Sequence, residues 1–286
     1  MDRQKIALVT GGAGFVGSHL CERLQSDGYR VISLDNYFTG SKDNHILGVE
    51  YREGHTKDIA TLVPEDPDII YHLGEYSRVE VSLSEPEIVW DLNVWGTFAV
   101  AEYWRAKKCK LVYAGSSTKF GDGGLNRNMT PYAWTKATNT ELVCNYGAWY
   151  TLPFAVAYFY NVYGPGERSG KYGTVVEIFR QKCKAGEPLM VELPGTQTRN
   201  FTHVADIVSG LVAVGERGIG DDFGIGNERA YTIIELAHLF GADPVLIPSR
   251  PGNRTSSAID TSKTRALGWN PSHQLETYVQ ECMRSK

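Results

Sequence analysis

The sequence has no apolar run close to the ~18 residues that a membrane-spanning helix requires. Its first five residues lead into only a short apolar run, residues 6–9, which is not the pattern of a signal peptide. The five cysteines never form a C-x-x-C pair, and the seven histidines form no H-E-x-x-H motif. We therefore expect a cytoplasmic protein with no membrane partner, no disulfide framework and no cysteine- or histidine-based metal site.

An excess of charge of one sign is also missing. The 286 residues carry 29 basic and 33 acidic side chains, for a formal net charge of −4. This balance argues against binding nucleic acid by broad phosphate neutralisation, so no nucleic-acid partner is expected. The hydrophobic fraction of 42% is ordinary for a soluble globular protein. A chain of this length buries about three-quarters of its unfolded surface, so it can fold without disulfide bonds or other cross-links.

Short apolar runs alternate with helical patterns through the first half of the chain. The predicted strands cover residues 5–10, 30–35, 67–72, 110–114 and 154–160, and the predicted helices cover residues 14–25, 85–107 and 130 to about 145. Such alternation implies right-handed β-α-β crossovers and a parallel sheet with helices on both faces. The predicted fold class is α/β, a Rossmann-type doubly wound parallel sheet followed by a smaller C-terminal α/β region.

A glycine-rich turn lies between the first predicted strand and the first predicted helix. Gly12, Gly14 and Gly17 satisfy G-x-G-x-x-G, and Gly11 also fits a G-x-x-G-x-x-G spacing. Glycines at these positions permit a tight turn, a close approach of a pyrophosphate and close packing of helix on sheet. The phosphates would meet the positive end of the helix. The predicted cofactor contacts in this turn are Gly11, Gly14, Phe15, Val16 and Gly17.

The second predicted strand ends at Asp35, 18 residues after Gly17, and Asn36 follows it. A carboxylate there accepts hydrogen bonds from a ribose 2′-hydroxyl and repels a 2′-phosphate. NAD is therefore the predicted cofactor, in preference to NADP. We expect residues 1–162, joined by about residues 199–217, to form the NAD-binding domain, and residues 163–286 to form a substrate-binding region.

Tyr132 and Lys136 are spaced i and i+4, so they share one face of a predicted helix. The ammonium favours the phenolate electrostatically and can bond the nicotinamide ribose. The phenolate can then take a proton from a sugar hydroxyl while hydride leaves the same carbon. A Y-x-x-x-K pattern is common by chance, but here it follows a nucleotide motif and Ser116, which lies just after a predicted strand. The predicted catalytic residues are Ser116, Tyr132 and Lys136.

The chain resembles the extended short-chain dehydrogenase/reductase family, specifically its nucleotide-sugar epimerases and dehydratases, over nearly its whole length. The matching positions are 10–17, 35–36, 58–59, 72–73, 93–97, 116–117, 132, 136, 161–166, 199–206, 250–252, 260, 263 and 267–271. For the cofactor, the resemblance implies that Asp58 and Ile59 contact adenine, that Leu73 and Gly74 form the loop over the phosphates, and that Tyr160 lies in the same site.

The resemblance also implies a substrate site for a nucleotide sugar, most often a UDP-sugar. Ser116 and Ser117 would lie beside the sugar, Asn161 would bind the diphosphate, and Arg199 and Arg250 would clamp the nucleotide phosphates through bidentate contacts. In the 4-epimerases, the residue three before the Asp of the Asp260/Lys263 motif lines the sugar pocket. Here it is Ser257, a small residue that predicts acceptance of N-acetylated sugars.

Three departures from the family pattern concern the sugar pocket. Glu75 follows Gly74 where the family usually has small residues, which predicts a substrate-binding carboxylate near the nicotinamide. Asn200 replaces the usual aspartate between Arg199 and a phenylalanine. The segment between Ser116 and Tyr132 is shorter than usual.

Family members share the removal of hydride from C4 and differ in the steps after it. A 4,6-dehydratase typically carries Asp-Glu directly after the Ser116 position, and a UDP-glucuronate decarboxylase carries Glu at position 118, but here these positions are Ser117 and Thr118. A 4-epimerase needs only Ser116, Tyr132 and Lys136. The favoured interpretation is a 4-epimerase of UDP-hexoses or UDP-N-acetylhexosamines. The alternatives are a dehydratase or decarboxylase-like keto-sugar enzyme that uses Glu75, and a non-catalytic NAD-binding regulatory module.

The resemblance further implies a homodimer. Family members pair through the long helix of residues 85–107 and the helix that carries Tyr132, which together make a four-helix bundle. Ala101, Tyr103 and Trp104 lie on the first of these helices. Two alternatives stay open at this point, since these side chains can face either the partner or the core of their own chain.

Overall fold

The computed structural model describes residues 3–116, 127–159, 161–249 and 260–284. The strands are β1 (Ile6–Thr10), β2 (Arg30–Asp35), β3 (Glu50–Glu53), β4 (Ile69–His72), β5 (Lys110–Ser116), β6 (Phe154–Phe159), β7 (Val162–Tyr163), β8 (Met190–Glu192), β9 (Thr198–Asn200), β10 (Thr202–His203), β11 (Gly220–Ile225), β12 (Ala230–Thr232) and β13 (Val245–Ile247). The α-helices are α1 (Phe15–Ser26), α2 (Ile59–Leu62), α3 (Pro86–Val89), α4 (Gly96–Lys107), α5 (Pro131–Tyr150), α6 (Val175–Ala185), α7 (Val204–Arg217), α8 (Ile233–Leu239), α9 (Ser262–Ala266) and α10 (Leu275–Arg284).

Seven strands form the central sheet in the order β11-β6-β5-β4-β1-β2-β3. Every neighbouring pair in it is parallel. The order reverses at β1, because β2 lies on one side of it and β4 on the other. In sheets of this kind, ligands bind beyond the carboxyl ends of the strands at that reversal. The Rossmann-type fold class predicted from the sequence is confirmed.

Side chains alternate between the two faces of the sheet, and each face is covered by helices. Ala7 and Val9 of β1 point to the face covered by α1 and α7. Leu8 points to the opposite face, which α4 and α5 cover. A separate apolar core forms among α6, α8 and α10, around buried Phe179 and Leu236. Both faces of the strands are therefore dry, as expected for a parallel sheet.

The predicted helix at residues 85–107 is continuous but changes its winding. Between α3 and α4, residues Trp90–Trp95 form a π-helix. Ala101, Tyr103 and Trp104 of α4 are buried against the chain's own core. Of the two alternatives for these side chains, the structure selects the second.

The helix that carries Tyr132 begins as its sequence predicts. Thr130 is its N-cap, with its hydroxyl accepting a hydrogen bond from the backbone N–H of Ala133 at 3.1 Å. Pro131 occupies the first turn, where a missing N–H costs no hydrogen bond. The helix continues to Tyr150, five residues beyond the predicted end, and stops where Thr151 adopts a left-handed conformation.

The second half of the chain contributes to both regions. β11 extends the central sheet beside β6. Short strand pairs, β8 with β13 and β9 with β12, lie outside that sheet. The division into two domains at about residue 162 stays a prediction. None of the described helices has the length and apolarity to cross a membrane.

Candidate functional site

A cleft of about 490 Å³ lies at the carboxyl ends of the central strands. It collects residues that directly follow or end β1, β2, β4 and β5, as expected at a reversal of strand order. The predicted residues that line it are Gly11, Gly14, Phe15, Val16, Gly17, Asp35, Asn36, Leu73, Gly74, Glu75, Ser116, Tyr132, Lys136 and Asn161.

Some predicted site residues do not line this cleft. Ile59 is buried in the core beside α4, Asp58 is exposed, and Arg199 lies on β9, so their proposed ligand contacts stay predictions. The predicted roles of four further residues fall outside the described part of the chain: Ser117, Tyr160, Arg250 and Ser257.

The glycine-rich turn is packed too tightly for side chains. A Cβ on Gly17 would lie 2.0 Å from the carbonyl oxygen of Gly11. Gly11 has a φ of +75°, and a Cβ there would lie 2.9 Å from the backbone of Gly74. Gly14 caps α1 without a side-chain hydrogen bond. The amino end of α1 therefore faces the cleft with its first N–H groups uncovered by a side-chain cap, which suits a pyrophosphate.

Asp35 is held at the end of β2 by two backbone donors. One carboxylate oxygen accepts from Ala13 N at 2.9 Å and the other from Tyr37 N at 2.8 Å. Burial raises the pKa of this carboxyl, and the two backbone hydrogen bonds act in the opposite direction. Each oxygen has a further lone pair that can accept a ribose hydroxyl. Together with the glycine turn, this arrangement fits the adenosine half of NAD.

Tyr132, Lys136 and Ser116 line the same cleft. Tyr132 and Lys136 lie one helical turn apart on α5, and Ser116 ends β5. Lys136 is buried and donates to the carbonyl of Ala114 and to the Glu75 carboxylate. Its ammonium also lies 4.5 Å from the ring centroid of Tyr113. Protein groups alone thus hold the lysine in place.

Glu75 lies at the centre of a buried polar cluster, here called the Glu75 network. Its members are Thr10, His72, Glu75, Thr97, Tyr113, Lys136 and Asn139. One carboxylate oxygen of Glu75 accepts from Thr97 Oγ1 at 2.9 Å, from Asn139 Nδ2 at 2.9 Å and from Tyr113 OH at 3.1 Å. The other accepts from Lys136.

The hydrogen bonds of the network have a defined direction. An ionised carboxylate only accepts, so the Thr97 hydroxyl donates to Glu75 and must accept from His72 Nε2, 3.0 Å away. Burial lowers the pKa of His72 to about 4, so the ring is neutral and its Nδ1 accepts from Thr10 Oγ1 at 2.7 Å. Thr10 in turn accepts from Gly74 N at 3.0 Å. A chain of donors thus runs from the backbone N–H of Gly74 to Glu75.

Three charged residues of the cleft, Arg78, Glu167 and Arg168, were not predicted from the sequence. Arg78 donates from Nε to the carbonyl of Tyr172 at 2.6 Å, and Glu167 accepts from Thr174 N at 2.8 Å. Burial raises the pKa of the Glu167 carboxyl to about 7. Arg78 follows a strand that ends at the cleft, and this position was the signal that could have identified it.

Comparisons with known proteins agree on one family and on more than one reaction. The model of the NAD dependent epimerase/dehydratase family matches residues 7–226. UDP-glucuronic acid decarboxylase 6 of Arabidopsis thaliana is 31% identical, over 94% of this chain and 84% of that protein. An epimerase of Methanothermobacter thermautotrophicus superposes with a TM-score of 0.92 at 30% identity, over 98% of this chain and 91% of its own. The UDP-glucose 4-epimerase of Thermotoga maritima, solved with UDP-glucose, superposes with a TM-score of 0.90 at 27% identity. The match covers 98% of this chain and 97% of that one.

Proposed function

Because this chain belongs to the NAD dependent epimerase/dehydratase family, whose members are enzymes, we propose that it is a nucleotide-sugar 4-epimerase with NAD as its cofactor. The proposed substrates are UDP-hexoses or UDP-N-acetylhexosamines. The observation that carries the proposal is the placement of Ser116, Tyr132 and Lys136 in one cleft with the glycine turn and Asp35. This is the full set of side chains that a 4-epimerase needs.

The proposed mechanism assigns one task to each of these side chains. Tyr132 takes the proton of the C4 hydroxyl as general base and later returns it to the oxygen. Ser116 orients that oxygen, and Lys136 stabilises the phenolate by its charge. NAD, held by the glycine turn and Asp35, would supply the hydride acceptor for C4 and the hydride donor for either face of the resulting 4-keto sugar. The sugar must therefore turn over within the cleft between the two transfers.

The other reactions of the family need a further acid–base group. Positions 117 and 118, where dehydratases carry Asp-Glu, are Ser and Thr in this chain. Glu75 is buried, with its carboxylate accepting four hydrogen bonds from protein donors. Both observations favour epimerisation over dehydration or decarboxylation.

The test is a panel of UDP-sugars, including UDP-glucose, UDP-N-acetylglucosamine and UDP-glucuronate, with products analysed by NMR and mass spectrometry. We expect a product of unchanged mass with inverted C4. Loss of water or of carbon dioxide would instead identify a dehydratase or a decarboxylase. If NAD binds and every sugar is returned unchanged, the regulatory-module alternative replaces the enzyme.

Cofactor preference is expected to depend on Asp35. The parent should bind NAD more tightly than NADP, because a 2′-phosphate would meet the buried carboxylate. Asp35→Ala should shrink this preference about tenfold or more, since a hydrogen bond to a charged group is lost. Titration calorimetry with both cofactors measures the ratio, and Asp66→Ala, at an exposed site, is the control. Equal affinity of the parent for NAD and NADP would remove Asp35 from this role.

We also propose that the chain forms a homodimer through an aromatic patch, defined as Trp90, Trp95, Phe98 and Trp134. All four side chains are large, apolar and exposed. The rings of Trp90 and Trp134 stack 5.6 Å apart and join the two helices that would form the bundle. Large apolar side chains that are exposed on neighbouring helices in this way are typical of interaction sites.

Charged substitutions in the aromatic patch are expected to separate the dimer. A Trp90→Glu, Trp134→Glu double variant would bury two carboxylates in the interface, so it should sediment as a monomer while the parent sediments as a dimer. The control is Leu47→Glu, at a leucine that is 95% exposed on a distant loop. A monomeric parent at micromolar concentration would refute the proposed interface.

A further inference from the structure

The ion pair between Glu75 and Lys136 is almost completely removed from solvent. Only 3% of the Glu75 side chain and 5% of the Lys136 side chain are exposed. A buried ammonium without a counter-charge gives up its proton readily, because burial disfavours the charged form. Lys136 must nevertheless stay charged if it is to stabilise the Tyr132 phenolate.

We propose that Glu75 is a positioning residue that acts as the internal counter-ion of Lys136 and keeps it charged and oriented. This inference rests on the proposed function only in taking Lys136 as the catalytic lysine. Two of the three N–H groups of Lys136 are used, one by Glu75 and one by the carbonyl of Ala114. Among the described residues none accepts from the third N–H, which can therefore bond a ligand in the cleft. The carboxylate therefore fixes both the charge and the direction of the remaining donor.

The arrangement of Glu75 favours this role over direct contact with the sugar. Its donors come from separate elements, namely Thr97 on α4, Tyr113 on β5, and Lys136 and Asn139 on α5. Three of these donors bond one carboxylate oxygen and Lys136 bonds the other, so protein groups hold both oxygens in a side chain that is only 3% exposed. Contacts of this kind fix the carboxylate as an ionised acceptor, whereas an acid or base acting on the substrate must gain and lose a proton.

Other titratable groups around Lys136 do not supply the counter-charge. Burial lowers the pKa of His72 to about 4, so this ring is neutral at working pH. Burial, together with the nearby Glu75 charge, raises the pKa of Tyr113 well above its ordinary value, so this phenol is also neutral. Tyr132 takes part in the reaction itself. Among the described residues that face Lys136, Glu75 is thus the anion present throughout the reaction.

The first test measures stability and needs no substrate. In Glu75→Gln the ammonium loses its partner, which should lower the melting temperature by about 5–10 °C near neutral pH. The folded variant then releases the lysine proton at a pH where the unfolded chain, whose lysines titrate near about 10.4, still holds it. The unfolded state binds more protons in this window, so stability rises with pH. The difference in melting temperature between Glu75→Gln and the unsubstituted protein should therefore become smaller between about pH 7 and pH 9.5.

A matched control separates this effect from the loss of any buried carboxylate. Glu177 is also only 3% exposed and pairs with Arg180 on α6. A guanidinium stays protonated over the same pH range. Glu177→Gln should therefore lower the melting temperature by an amount that does not change with pH. In addition, a Glu75→Gln, Lys136→Met double variant should melt higher than Lys136→Met alone, which leaves an unpaired buried carboxylate.

The second test uses the pH profile of turnover. Glu75→Gln should lose activity as pH rises above about 8, because the lysine deprotonates, while the parent shows no such decline there. Glu75→Asp keeps the negative charge and should restore the parent's profile at reduced turnover. The proposal would be overturned if Glu75→Gln lowered the melting temperature equally at every pH and its turnover depended on pH as that of the unsubstituted protein does. If no UDP-sugar reacts, the stability test still decides the role of Glu75, and the proposed function fails separately.

Discussion

Replacing Tyr132 with phenylalanine is expected to lower turnover at least ~10²-fold, the size of a lost general acid–base group. The substitution removes only the phenolic oxygen. Its ring packs beside Tyr76 and Tyr172 at the cleft, and this packing is retained. The fold and the affinity for NAD should therefore survive. Steady-state kinetics, NAD titration and a thermal melt of the same preparation measure the three properties.

Tyr150→Phe provides the matched control for this substitution. Tyr150 lies at the other end of α5, is exposed, and is remote from the cleft. We expect its turnover to stay within a few-fold of the parent. If Tyr132→Phe also stays within a few-fold, Tyr132 is not the proton acceptor and the assignment of the cleft to this chemistry must change.

Gly17→Ala is expected to impair cofactor binding more than any other single methyl group added to the glycine turn. The new Cβ would lie 2.0 Å from the carbonyl oxygen of Gly11. Because this oxygen belongs to the backbone, no side-chain rotation can relieve the overlap. The amino end of α1 must therefore move away from the cleft. Overpacking of this kind costs about 1–3 kcal/mol. If that cost falls on the bound state, NAD affinity drops by up to about a hundredfold.

Titration with NAD and a thermal melt measure the two effects of Gly17→Ala. Ser26→Ala, at the exposed last residue of α1, adds a good helix former without crowding and should change neither property. Unaltered NAD affinity in Gly17→Ala would mean that the pyrophosphate does not use the amino end of α1.

The sequence predicted the central sheet well where local and long-range preferences agree. The strand at residues 30–35 has the predicted bounds, because a short apolar run between turn residues has no alternative structure. The edge strand β3 was missed, since its sequence, Glu-Tyr-Arg-Glu, looks like a solvated loop. Its charges are matched across space instead, for example between Arg52 and Glu65. Such pairing depends on the fold and leaves no local signal.

The candidate site shows the same limit. Motif spacing predicted that Asp35, Tyr132 and Lys136 belong to the site, and all three line the cleft, because the place of each depends on a single strand or helix. The sequence also singled out Glu75 as unusual, but it could not indicate which way the carboxylate faces. That direction depends on donors from α4, β5 and α5, which lie 22 to 64 positions away along the chain. Only the packed structure brings them together.

The π-helical turn at Trp90–Trp95 has a consequence for how this protein tolerates insertions and deletions. Each residue of an α-helix turns the chain by about 100°. In a π-helix the hydrogen bonds span five residues instead of four, so each residue turns the chain through a smaller angle. The six residues Trp90–Trp95 therefore turn the chain about as far as five α-helical residues would. Loss of one residue from this turn would restore ordinary winding with α4 close to its present orientation, so Thr97 would keep its contact with Glu75 and Trp104 would stay buried. A single-codon deletion between Thr97 and Trp104 would instead rotate the end of α4 by about 100° and turn Trp104 out of the core. The protein should thus tolerate the first deletion far better than the second.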